Sequence, residues 1–235
     1  MAFSFPHLRI RALVAAVVCS VSCCALAGGI TVGGTRVVYP AGAKQADISV
    51  RNSSEHSTFL VQSWVEDAQG EKSPDFIVTP PLYVSAPGNE NTLRLMHIGN
   101  PLPSDRETLY YFNAKAIPSV DKAQTQGKNV LLFASVTRIK LFVRPSGLTP
   151  SVGDAPDKLT FSQKGERLTI NNPTPYYLTL TGISSGSNRL RDIMVSPFGT
   201  ASEPLLNGAA ASVEFHTIND FGATTPAHHA TVSRG

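Results

Sequence analysis

No window of this 235-residue chain sustains an apolar period of 3.6 residues for three helical turns. Short apolar runs with period-2 alternation take its place, cut at intervals of roughly 8–12 residues by Gly, Pro, Asn and Ser. That pattern leaves little room for anything but an all-β sandwich or barrel. "KQADISVRN" shows the alternation well, with Ala46, Ile48 and Val50 inward and Gln45, Asp47, Ser49 and Arg51 outward. "DFIVTPPLYV" carries a Pro-Pro that cannot sit in a central ladder, so it marks an edge or a switch between sheets.

Seven such runs precede residue 145: "TRVVYP", "KQADISVRN", "TFLVQSWVED", "DFIVTPPLYV", "NTLRLMHIG", "ETLYYFNAKAIP" and "NVLLFASVTRIKLFVRP". Their number and spacing suit an immunoglobulin-like sandwich. After "RPSGLTP" the pattern restarts: a strand, a "KGE" turn, a strand, an Asn-Pro-Thr-Pro corner and a strand in "KLTFSQKGERLTINNPTPYYLTLTGIS", then "DIMVSPFG", "ASVEFHTIND" and a tail. The fold expected is two immunoglobulin-like β-sandwich domains, 28–147 and 148–235. A Pro/Gly hinge at 145–150, too short for free tumbling, should fix them with a cleft between.

Residues 1–27 read as a secretory signal peptide. His7, Arg9 and Arg11 form a basic start, Ala12 to Leu26 is apolar and small, and Ala25-Leu26-Ala27 is a cleavage site. The apolar run falls short of the roughly 20 residues of a membrane span, and Ser20-Val21-Ser22 fits a lipoprotein box poorly. All three cysteines (Cys19, Cys23 and Cys24) lie within this leader, so the exported remainder folds without a disulfide. Two of the 20 basic residues and none of the 17 acidic ones leave with it, which puts the mature chain at +1. A near-neutral chain with dispersed cations is a poor partner for nucleic acid.

Catalytic signatures are lacking. H-E-x-x-H, Walker-loop and paired-carboxylate patterns are absent, and with no cysteine after residue 27 thiol chemistry is excluded. His228 and His229 are adjacent in a polar tail, where neighbouring strand side chains would point apart, so a solvated tail is expected rather than a metal site. "GGITVGGTR" precedes a strand, not a helix, and lacks Gly-Lys-Ser; it reads as a flexible N-terminus.

"LLFASVTRIKLFVRP" is the unusual run. Period 2 puts Arg138, Lys140 and Arg144 on one face and Ile139, Leu141 and Val143 on the other. A solvated edge face would explain the cations, and Arg36 could likewise be a charged start to an edge strand. The sharper reading is that Lys140 and Arg36 line the interdomain cleft and receive an anion.

"GTRVVYP", "LVQSWVED", "DFIVTPPL", "GNPLPSDRETLYYFNAKAIP", "RIKLFVRP", "NPTPYYLTL", "MVSPFG" and "TINDFG" together closely resemble the periplasmic pilus-assembly chaperones of the chaperone–usher pathway, in order and over almost the whole mature chain. The resemblance implies two immunoglobulin-like domains in a boomerang. It also implies a non-enzymatic chaperone that binds, folds and caps pilus subunits by lending them a strand, then delivers them to an outer-membrane usher. Strand addition is a recognised mode of this family. Arg36 and Lys140 match its carboxylate-gripping cations. Leu131, Phe133 and Ser135 match its donor side chains, and Glu107, Arg144 and Asp220 its charged interdomain bridge. Ser135 departs from the bulky aliphatic usual there, and "SVDKAQTQGKN" lacks the cysteine pair of the long-loop branch, which implies the short-loop branch. No cofactor or nucleotide is expected. A bare donor edge also suits a self-capping dimer. Because Lys140 and Phe133 differ in parity, a bulge or twist is expected between them. The rival reading, a secreted adhesive or structural pilus component, would call for an internal cysteine pair and an alternating N-terminal extension, which the mature chain lacks.

Overall fold

The computed structural model describes residues 28–120, 127, 129, 131–205, 208 and 211–234; the leader 1–27 and most of the 121–130 connection lie outside these. Among the described residues the regular structure is strand, apart from one 3-10 turn at Pro156–Lys158.

Among the described residues the first domain holds nine strands: β1 (Ile30–Val32), β2 (Arg36–Pro40), β3 (Ala46–Asn52), β4 (Phe59–Glu66), β5 (Phe76–Thr79), β6 (Leu82–Ser85), β7 (Glu90–His97), β8 (Thr108–Pro118) and β9 (Ser135–Arg144). They form two packed sheets, β1-β3-β7-β5 and β2-β9-β8-β4-β6. Nine strands replace the seven expected, for two reasons. "DFIVTPPLYV" divides at Pro80-Pro81, and its halves enter different sheets: β5 pairs with β7, and β6 with β4. That is the sheet switch which the missing proline donors demanded. Ile30–Val32, expected to be flexible, forms edge strand β1 against β3, with Val32 opposite Val50. In β3, Ile48 and Val50 are buried while Asp47 and Arg51 face out. Between the sheets lies one apolar core, including Tyr39, Val50, Val61, Leu93, Leu95, Phe112 and Leu141.

The second domain runs β10 (Thr160–Lys164), β11 (Arg167–Asn171), β12 (Leu178–Ser185), β13 (Asn188–Arg189), β14 (Ile193–Val195), β15 (Thr200–Pro204), β16 (Ser212–Thr217) and β17 (His228–Arg234). Its own core includes Phe161, Leu168, Ile170, Leu180, Ile183 and Phe215. The polar tail is a strand after all: β17 pairs with β16 and then, bending on, with β10. His228 stacks on Phe215 at 5.3 Å while the His229 side chain is 70% exposed. The two rings point apart as expected, but His228 is packed rather than solvated. At the Asn-Pro-Thr-Pro corner, buried Asn172 donates to the carbonyls of Tyr176, Val195 and Ser196 and accepts from the Thr174 amide. This fixes the Tyr176-Tyr177 pair that faces the first domain.

Candidate functional site

β9 is the axis of the site. It lies between β8 and β2, not at an edge, and its odd residues Ile139, Leu141 and Val143 enter the first core. The even residues Arg138, Lys140, Phe142 and Arg144 face the second domain. The β8–β9 register runs unbroken from Thr108↔Val143 to Ala116↔Ser135, so of the bulge or twist expected between Phe133 and Lys140, no bulge lies in β9 between Ser135 and Val143. β2 runs parallel to β9 but covers only its end, from Arg36↔Lys140 to Pro40↔Arg144. Along Ser135–Ile139 the flank away from β8 has no strand partner among the described residues.

Arg144 closes the far end of this face. Its guanidinium reaches Glu107 at 2.6 Å and grips both oxygens of Asp220, from the second domain, at 2.6 and 2.7 Å. The free oxygen of Glu107 accepts from the Tyr177 amide at 2.8 Å, and Phe142 stacks on Tyr177 at 5.7 Å. Burial by itself would lower the Arg144 pKa, but the hydrogen bonds and charges of its two carboxylates outweigh it and raise it. Burial pushes the Glu107 carboxyl up against the opposing pull of Arg144. Asp220 sits in a turn where Asn219 accepts from the amides of Phe221 and Ala223. Gly222 ends that turn at φ +83°, and a Cβ there would strike the Thr35 hydroxyl of the first domain. Only glycine satisfies both the backbone and this close approach.

Four residues before Arg144, beyond Phe142, the face becomes a notch at Lys140. Arg36 and Lys140 are paired across β2 and β9 and line a space of about 370 Å³ with Thr35, Tyr111, Arg138 and Thr179. Lys140 Nζ donates to Thr179 Oγ1 at 2.9 Å, and Arg36 Nη1 donates to the Ile218 carbonyl at 2.9 Å. Among the described residues neither cation makes an ion pair, and Arg36 Nε is buried with no partner. Burial lowers the pKa of both, and Arg36 lowers that of Lys140 further. Arg138 differs: it pairs with Glu66 at 3.0 Å and lies 3.5 Å over the Tyr111 ring. The notch therefore presents two cations without an ion pair among the described residues, Arg36 and Lys140, beside a third, Arg138, that has one.

A pili and flagellar-assembly chaperone model, the PapD N-terminal domain, matches residues 29–149, and the pili assembly chaperone PapD C-terminal domain matches residues 154–229. The chain belongs to the pilus-assembly chaperones. A probable fimbrial chaperone of Escherichia coli K12, SfmC, is 46% identical over 85% of this chain and 87% of its own length. The solved periplasmic chaperone SfaE aligns with a TM-score of 0.77 at 41% identity, covering 87% of this chain and all of that one. The Salmonella enterica SafB chaperone, solved in complex with the SafA pilin, gives a match with a TM-score of 0.78 at 29% identity over 86% of this chain and 96% of that one.

Of the residues singled out by resemblance to this family, Arg36 and Lys140 lie side by side, and Glu107, Arg144 and Asp220 form one ion cluster. Leu131 and Phe133 precede β9 and are 76% and 75% exposed; Ser135, the first residue of β9, is exposed too. The sequence reading missed Thr179, Tyr177 and the Ile218 carbonyl. Backbone groups carry no residue signature, although Tyr177 follows directly from the Asn-Pro-Thr-Pro corner. It also missed that Gly182-Ile183-Ser184-Ser185-Gly186 spells G-x-S-x-G. This stretch ends β12 and turns into β13, with Ser184 paired to Arg189 and Glu214, so it is strand–turn–strand and not a nucleophile elbow. Among the described residues no cluster of metal-ligating side chains is found.

Proposed function

We propose that this protein is a periplasmic chaperone, exported by residues 1–27, that caps pilus subunits and hands them to an outer-membrane usher. The first domain, 28–147, lends the strand, and the second, 148–235, completes the cleft. The observation that carries the reading is the Arg36–Lys140 pair, free of any ion pair among the described residues and with Arg36 Nε buried and unpartnered, at the end of the open flank of β9.

The parallel β2–β9 pairing supports one direction for the guest strand. β2 is parallel to β9 and starts opposite Lys140. A strand that fills the flank before it and ends with its carboxylate at Arg36 and Lys140 runs parallel to β9, in line with β2. A terminal carboxylate lies at the strand edge, so Lys140 meets it from one face while Leu131, Phe133 and Ser135 enter the guest core from the other; no bulge is needed. Each backbone hydrogen bond made is worth about 0.5–1.5 kcal/mol net. Burying Leu131 or Phe133 adds roughly 1.5–3 kcal/mol apiece. The carboxylate gains charge-assisted bonds and sets the register. Arg144, with Glu107 and Asp220, holds the two domains so that the cations stay aimed. The same open edge serves a self-capping dimer when no subunit is present. Folding and pairing supply the free energy, and no nucleotide or cofactor enters.

Replacing Lys140 by Ala should cost on the order of 2–5 kcal/mol of complex stability, much of it from the stranded partner groups. Tagged protein from the periplasm is expected to bring down its subunit, identified by mass spectrometry, and Lys140→Ala to lose it while keeping its circular dichroism. Undiminished recovery with the variant would refute the anchor.

A further inference from the structure

We propose that Thr179, in the second domain, is a third member of the carboxylate anchor. It positions the Lys140 ammonium and donates its own hydroxyl proton to the bound carboxylate. The inference rests on the role given above to Arg36 and Lys140.

The hydroxyl of Thr179 accepts from Lys140 Nζ at 2.9 Å. A hydroxyl that accepts keeps one proton to give, and no acceptor for it is found among the described residues. Thr179 lines the notch with both cations, so its hydroxyl can turn that proton toward a guest there. The threonine is firmly held. Leu178 and Leu180 on either side are 6% and 0% exposed in the second core, and a β-branched side chain has few rotamers.

Thr179 also links the two cations. Its carbonyl accepts from the Ile218 amide at 3.1 Å, and the Ile218 carbonyl accepts from Arg36. Arg36 and Lys140 are thus referenced to one short backbone link in the second domain, and they face each other across β2 and β9 in the first. The residue type fits the task. An acidic side chain here would pair with Lys140 and compete with the guest, whereas a hydroxyl orients the ammonium without neutralising it. A lysine stem left unheld would have to be ordered when the guest binds.

The test compares the wild-type protein with Thr179→Val, which keeps shape and loses the hydroxyl, and Thr179→Ser, which keeps the hydroxyl. The probes are a synthetic peptide of the C-terminal strand of the co-purified subunit, made as the free acid and as the amide, titrated by fluorescence anisotropy. Wild type is expected to prefer the acid. Thr179→Val should lower the acid-to-amide preference roughly three- to tenfold with amide affinity unchanged, and Thr179→Ser should restore it. If Thr179→Val keeps the preference while Lys140→Ala abolishes it, the role of Thr179 is overturned and the anchor stands. Equal loss of acid and amide binding would make Thr179 merely structural and overturn it as well. A wild-type protein indifferent to acid and amide would overturn the anchor itself.

Discussion

Replacing Arg144 by Met keeps an apolar stem of similar reach and deletes the charge that joins the domains. The native guanidinium makes contacts of 2.6, 2.6 and 2.7 Å to two carboxylates. The side chain of Glu107 is 1% exposed, that of Arg144 18% and that of Asp220 30%. Without Arg144, Glu107 is a buried charge whose remaining hydrogen bond is from the Tyr177 amide. Breaking a buried pair from one side costs about 3–5 kcal/mol; the partial exposure of Arg144 and Asp220 places the expected loss near the lower end, about 3 kcal/mol. The loss depends on pH in a defined sense. Burial already raises the Glu107 carboxyl, and without Arg144 it rises further. A carboxyl raised in the folded state leaves the fold unharmed below its unfolded value of about 4.3 and weakens it as pH climbs past that. The gap between wild type and Arg144→Met should therefore narrow in acid. Adding Glu107→Gln should recover most of it at neutral pH. Urea unfolding followed by Trp64, the single tryptophan and a reporter for the first domain, with circular dichroism for both domains, measures this. A loss under about 1 kcal/mol, of the kind a solvated surface pair gives, and no rescue by Glu107→Gln would refute the reasoning.

Gly222→Ala forces a side chain onto positive φ and against Thr35; it should destabilise by about 1–3 kcal/mol and change the interdomain angle seen by small-angle scattering, and an unchanged profile would count against the close fit. Carboxylate-peptide binding should fail at both ends of the pH scale. It needs the guest ionised, above about 3.5, and Lys140 protonated, so it should fade below the ordinary lysine value of about 10.4 because burial and Arg36 lower Lys140. A calorimetric profile flat to that value would contradict the desolvated notch.

Local chemistry was readable from the chain, and non-local pairing was not. Period 2 alone placed Arg138, Lys140 and Arg144 on one face of β9, and the missing N–H groups of Pro80 and Pro81 forced the switch between β5 and β6. Strand β1 escaped because it is three residues between glycine pairs, and its existence depends on β3, some twenty positions later. Strand β17 escaped because it is polar and is held by ladders on both sides, not by an apolar stripe. Of the bulge or twist expected between Phe133 and Lys140, a bulge is absent over residues 135–143, and under the proposed function none is needed, because there the guest offers a chain end at the strand edge rather than a side chain. The meeting of Arg36 with Lys140, and of Glu107, Arg144 and Asp220, came from family resemblance; nothing in spacing brings positions 107 and 220 together. Thr179 was invisible for the simplest reason. One threonine in "YYLTLTG" looks like any other until Lys140 is seen pointing at it.

Hydrogen–deuterium exchange of the free protein and its subunit complex addresses the lent strand most directly. The outward amides of residues 131–139, which face the open flank of β9, are expected to exchange freely in the separated protein and to become protected in the complex, while those of edge strand β6 stay unchanged. Protection confined to β6 or to the second domain, with 131–139 still exchanging freely, would contradict strand donation by β9.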